Sequence, residues 1–181
     1  MFLLILGVAL WAGAHLAKRL VPGFHRALQG AERPMVAGLV VTGLVLMVLG
    51  YRMAEGAVFW GRTPPTVGVM NLAMLVSVYF FAAAGMKTAL ARRLRHPMLL
   101  AVLIWAGAHL LVNGDVPSFV LFGGMGLWAL AEIVLINRSK ARWTPPAPAG
   151  ARKELIALVG TLAVYGAIAG VHYALGYPAF G

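Results

Sequence analysis

A chain of 181 residues that is 61% hydrophobic and only 11% charged, with a mean hydropathy of +0.86, is not a soluble globular domain. Such domains run about 45–50% apolar and about 25% charged. The net charge of +10, from 15 Lys+Arg against 5 Asp+Glu, would in a soluble protein point to nucleic acid. No basic stripe here is interleaved with aromatics as a stacking groove requires, so nucleic acid is excluded as a partner. Cysteine is absent, which removes disulfides, thiolate nucleophiles, Cys-ligated zinc, iron–sulfur clusters and c-type haem attachment. Histidine is the strong nitrogen ligand that remains.

Six apolar segments follow one another at about 1–17, 35–51, 66–86, 97–112, 116–136 and 155–175, each near the length a helix needs to cross a bilayer. The first ends in Ala12-Gly13-Ala14, an A-x-A-like cleavage site. Its positive charges follow the apolar run and Met1-Phe2 leaves no basic leader, so it reads as an uncleaved first helix. Lys18, Arg19, His25, Arg26 and Arg33 fill the first loop, and only Arg52 and Arg62 the second, before Pro64-Pro65. The third span carries Asn71, Ser77 and Tyr79. Lys87, Arg92, Arg93 and Arg95 precede His96-Pro97, where proline suits a helix start. Asn113-Gly114-Asp115 reads as a turn between the fourth and fifth spans, with Asp115 able to cap the fifth helix or to orient an imidazole. Glu132, late in the fifth span, is expected to snorkel to Arg138 or the surface. Arg138, Lys140, Arg142, Arg152 and Lys153 surround a stiff connector at Trp143-Thr144-Pro145-Pro146-Ala147-Pro148. Tyr165 and His172 lie in the last span. Thirteen basic residues thus fall on one side and two on the other. The positive-inside rule places both termini on the non-cytoplasmic side of a multi-pass inner-membrane protein. The expected fold is an all-α polytopic bundle of six transmembrane helices forming one domain over 1–181, with the lipid bilayer as its solvent.

Residues 11–16 and 105–110 both read Trp-Ala-Gly-Ala-His-Leu. Identity at all six positions points to an internal repeat. Thr63-Pro64-Pro65 and Thr144-Pro145-Pro146, each close behind a tryptophan (Trp60, Trp143), echo it at three-helix spacing. A three-helix unit used twice gives a 3+3 inverted repeat, whose equivalent residues converge near the midplane. Those residues are His15 and His109. At about 1.5 Å per residue their heights differ by roughly 10 Å, an offset that two ligands of one tilted flat cofactor tolerate better than a compact zinc site. Trp11 and Trp105 share a helical face with them, and Gly13 and Gly107 remove side-chain bulk between. Small residues are equally what helix packing uses. An intramembrane histidine, however, is costly without a role, and three remain open: cofactor ligand, hydrogen-bonded core residue, or proton-pathway residue. The five carboxylates are scattered along the chain, giving paired acid–base chemistry little support.

At Arg95-His96-Pro97-Met98-Leu99, at Trp105 through Asp115 with its His-Leu-x-x-Asn-Gly-Asp element, and at Leu121-Phe122-Gly123-Gly124, the chain resembles the NnrU family of membrane proteins. That family groups denitrification-linked bacterial proteins with zeta-carotene isomerase. The resemblance covers nearly the whole chain. It implies haem b, with His15 and His109 as the axial pair and His96 as a further histidine of the family pattern. The site would then comprise His15 and His109 at the metal and Trp11, Gly13, Trp105, Gly107 and Asp115 around the cofactor. Its expected chemistry is cis-trans isomerisation of a polyene or nitrogen-oxide redox chemistry, with a hydrophobic small molecule or a nitrogen oxide as substrate and a redox partner. A non-enzymatic haem electron carrier or nitric oxide sensor is the alternative within this class. Arg95-His96-Pro97 also resembles the Arg-His-Pro element of isoprenylcysteine carboxyl methyltransferase-like enzymes, which implies S-adenosylmethionine chemistry; here Met98-Leu99 follows where Tyr and Gly are usual.

Overall fold

The computed structural model describes residues 1–21, 23, 31–139 and 142–180; His25, Arg26 and Lys140 lie outside them. The described chain is almost wholly helical: α1 (Phe2–Leu20), α2 (Glu32–Met53), α3 (Pro64–Met86), the short α4 (Ala89–Arg93), α5 (Pro97–Val112), α6 (Val116–Arg138) and α7 (Ala151–Ala174). Five of these, α1, α2, α3, α6 and α7, are long and apolar enough to cross a membrane. The fourth expected span forms with the expected bounds as α5, a helix of 16 residues. At 1.5 Å per residue it is about 24 Å long, short of the roughly 30 Å hydrocarbon core. Large apolar side chains such as Phe2, Val41, Leu72, Leu127 and Leu162 face outward. Helices of this length with apolar exteriors make this a membrane protein.

Helix starts follow local chemistry. Thr63 caps α3 through a reciprocal capping box with Thr66, with Pro64 in the first turn where its missing N–H does no harm. Asp115 caps α6, its Oδ1 accepting from the Ser118 N–H at 2.8 Å. Thr144-Pro145-Pro146, by contrast, lies in the irregular connector and does not cap α7, whose N-cap is Gly150. The proline echo therefore has no shared structural role.

Packing runs in the order α2–α1–α6–α5–α3–α7. α1 and α2 meet almost backbone to backbone. A Cβ on Gly50 would lie 2.3 Å from the Leu4 amide nitrogen, and one on Gly7 would lie 2.6 Å from that of Met47. Small residues are what let membrane helices approach this closely. Leu4, Met47, Met125, Trp128 and Ala129 form the buried core where α1, α2 and α6 meet. Some polar groups inside the apolar layer find partners on other segments. Ser77 donates to the Ala101 carbonyl at 2.8 Å, and Asn71 donates to Ala179 while accepting from the Tyr165 hydroxyl.

At the end opposite the basic loops, β1 (Val58–Trp60) pairs antiparallel with β2 (Gly114–Asp115). This joins the α2–α3 connection to the turn before α6. Gly114 has no alternative there, because a Cβ would fall 2.1 Å from the Trp60 indole. The same indole donates to the Leu110 carbonyl at 2.9 Å, closing over the end of α5.

Candidate functional site

α6 lies between the two helices that carry the repeated motif. Along α1 and α6 the contacts rise together, from Val8 at Gly124 to Arg19 at Glu132. Along α5 and α6 they run in opposition, with His109 at Phe122 and Ala106 at Gly126. α1 and α5 are therefore antiparallel. The two Trp-x-x-x-His units enter the bundle from opposite ends and face one helix.

Their local geometry is the same. Nδ1 of His15 lies 2.8 Å from the Trp11 carbonyl oxygen, and Nδ1 of His109 lies 2.9 Å from that of Trp105. A carbonyl only accepts, so each Nδ1 carries a proton, and the neutral form of such a ring has its lone pair at Nε2. A hydrogen bond at one ring nitrogen fixes both tautomer and ring direction, as it does for histidines that ligate metals. Each ring also packs on the tryptophan one turn earlier, with centroids 4.9 Å apart for Trp11–His15 and 5.2 Å for Trp105–His109.

Beyond this shared unit the environments differ. His15 is bracketed by Trp11 and by Trp128 of α6, whose ring centroid is 4.9 Å away. One turn further, the buried Glu132 accepts from Arg19 Nε at 2.6 Å. This corrects the expectation that Glu132 snorkels to Arg138 or the surface, since its partner is the adjoining helix. His109 instead lies flat on Phe122, at 4.5 Å and 23°, and its own carbonyl accepts from Asn113 Nδ2. Phe122 sits in a π-turn, Phe119–Gly123, within α6, a rare distortion that recurs at functional sites. Only the Gly-Gly after Phe122 hinted at it in the sequence.

Trp128 and Phe122 are six residues apart, so the two histidines face levels of α6 separated by about 9 Å, close to the expected offset. Among the described residues no ring contact joins the two imidazoles, and no group of three or more His, Asp or Glu residues is placed to hold a metal ion. Two buried indole N–H groups, those of Trp11 and Trp128, have no hydrogen-bond partner. Both border His15. An orphaned buried donor costs about 1–3 kcal/mol, so a ligand with acceptor oxygens would complete this cluster. A pair of free Nε2 atoms with two unspent donors beside one of them fits the chemistry of a haem, which needs nitrogen ligands for its iron and partners for its carboxylates.

The other expected site residues are placed as follows. Gly13 and Gly107 lie on the side of their helices away from the imidazoles, and a methyl group added to either would meet open space; the room they leave is on the outer helix surface. Asp115 gives its carboxylate to the start of α6, while both imidazole Nδ1 atoms are engaged with carbonyls. His96 occupies the N-cap position of α5, with Nε2 at 3.0 Å from Asn137 Oδ1. His172, exposed near the end of α7, makes the same Nδ1 contact to the carbonyl of Ile168 without an aromatic enclosure.

Comparison with protein families matches the family described as NnrU protein over residues 3–179. Neither a comparison with curated proteins nor one with solved structures gave a match.

Proposed function

Since the chain belongs to the NnrU family, we propose that it is a membrane haem protein in which His15 and His109 would together hold the iron of one b-type haem. The observation that carries this reading is the duplicated Trp-x-x-x-His unit on antiparallel helices, in which each imidazole both bonds through Nδ1 to the carbonyl of its tryptophan and packs on that tryptophan's ring. With no cysteine in the chain, bis-imidazole or His/Met is the available axial set. In this reading all six helices cross the bilayer, α5 as a short span, and both termini lie outside the cytoplasm. The repeat is then an inverted one, reduced to its ligand-bearing turns.

When bound, haem would supply a redox-active iron for chemistry on a polyene double bond or a nitrogen oxide. The protein's part is to hold, shield and release. Trp11 and Trp105 fix the faces of the imidazoles, and the indole N–H groups of Trp11 and Trp128 receive the polar edge of the cofactor or its ligand. The ion pair of Arg19 with Glu132 closes the end of the α1–α6 seam and keeps water from the His15 side. Phe122, carried on the π-turn, lies flat on the His109 ring and would hold its orientation. In this reading the chemistry is polyene isomerisation or nitrogen-oxide chemistry, with a hydrophobic substrate entering from the lipid. A pyridine haemochrome spectrum of the purified protein tests the reading: b-type haem at about one per chain supports it, and haem-free protein from haem-replete cells overturns it.

A further inference from the structure

At the end of the bundle that carries the basic loops, a cleft of about 350 Å³ opens between the end of α3, α4, the start of α5 and the connector that precedes α7. Its wall is apolar, with Leu94, Met98 and Leu99, and the connector's Trp143 closes one side. The connector is tied down by Arg92, whose Nε donates to the Pro146 carbonyl at 3.2 Å. The rim is cationic. Lys87 contributes its ammonium group from a left-handed backbone position, φ 58° and ψ 42°, at the end of α3. Non-glycine residues seldom adopt that conformation. α5 starts here without a side-chain cap, so amides of its first turn remain open to an anion. Among the described residues no acidic side chain lines the cleft. Glu154, in the first turn of α7, is already spent on the Ala89 amide at 2.7 Å.

An apolar wall at the bilayer edge, beneath a cationic rim with no carboxylate, is complementary to a molecule with an acyl chain and an anionic head. We propose that this cleft binds an anionic phospholipid, its phosphate between Lys87 and the start of α5 and one acyl chain along Leu94, Met98 and Leu99. The site is separate from the His15–His109 region and does not depend on haem. S-adenosylmethionine is a poorer match, because its sulfonium and ammonium groups outweigh its single carboxylate and would meet a rim of the same sign.

The test uses full-length protein in neutral detergent, probed by native mass spectrometry with phosphatidylglycerol, phosphatidylcholine, inorganic phosphate and S-adenosylmethionine. Phosphatidylglycerol is expected to bind tighter than phosphatidylcholine, the cleft being lined by Lys87 and Arg95, with the Lys87 charge worth about fivefold. Lys87→Gln lowers that preference by this factor and Lys87→Arg keeps it. Arg152→Gln, which lowers net charge equally from an exposed position outside the cleft, also keeps it. Equal binding of the two lipids, or equal loss in Lys87→Gln and Arg152→Gln, overturns the site. Phosphate alone displacing the lipid completely, or S-adenosylmethionine binding that Lys87→Gln strengthens, overturns the assignment of a lipid.

Discussion

Replacing Glu132 by alanine strands Arg19, and replacing Arg19 by alanine strands Glu132; the two losses should be unequal. The Glu132 side chain is 7% exposed and that of Arg19 33%. Breaking a buried pair by removing one partner costs about 3–5 kcal/mol, because a charge is left uncompensated. Arg19, in the last turn of α1, can swing its guanidinium toward the polar boundary, so Glu132→Ala should fall below that range, at about 2 kcal/mol. Glu132 has no such escape, and Arg19→Ala should cost about 3–4 kcal/mol. For a chain of this length that corresponds to roughly 4–8 °C and 6–16 °C in the unfolding midpoint. The paired change Arg19→Met with Glu132→Met should recover most of the loss, since two apolar side chains avoid the desolvation penalty altogether. The assay is thermal unfolding in one fixed detergent, with the double variant Arg19→Ala with Glu132→Ala closing a double-mutant cycle on the two single alanine variants. Single variants within about 0.5 kcal/mol of the parent, or strictly additive effects, would refute the buried pair.

Three other outcomes follow from the same geometry. Gly50→Ala should destabilise the protein by at least about 2 kcal/mol because its methyl meets the α1 backbone, whereas Gly68→Ala, with nothing within 4 Å, should be neutral or stabilising by up to about 1 kcal/mol; thermal unfolding of the two separates them. Gly114→Ala should displace the Trp60 indole and break its bond to Leu110, read as a red-shifted, more quenchable tryptophan emission that Trp60→Phe abolishes. For topology, Ala147→Cys should be shielded from membrane-impermeant thiol reagents in intact cells and Thr63→Cys labelled, both positions being exposed and the chain otherwise cysteine-free; labelling of Ala147→Cys from outside would reverse the orientation.

The helices were legible because their signals are local. Apolar runs located the long helices, five of which are long and apolar enough to cross a membrane where six spans were expected; Pro97 in a first turn and Asp115 at a cap marked where two of them begin, while Pro64-Pro65, expected only before the third span, opens α3. Short-range spacing also revealed the duplicated Trp-x-x-x-His unit, whose hydrogen bond closes within one turn. What escaped depended on partners distant in sequence. Arg19 read as a loop residue, although 11, 15 and 19 form one stripe on α1, and Glu132 read as a snorkelling carboxylate because nothing near it in the chain is its partner. The pairing of Val58–Trp60 with Gly114–Asp115 is too short to leave a period-2 pattern. The π-turn beneath Phe122 has no compositional mark beyond two glycines. The three-helix symmetry suggested by the proline echoes found no common packing, since α1 lies chiefly along α2 while α5 lies chiefly along α3.

Whether two histidines share one iron is the centre of this account, and optical spectra of His15→Ala and His109→Ala beside the parent and His172→Ala address it directly. His172 has the same Nδ1-to-carbonyl contact but is exposed and has no tryptophan one turn earlier, so it controls for loss of any helical histidine. The account predicts a b-type Soret band in the parent and in His172→Ala, and a shifted or missing band in each of the other two. Full haem occupancy with an unchanged spectrum in both His15→Ala and His109→Ala would contradict it.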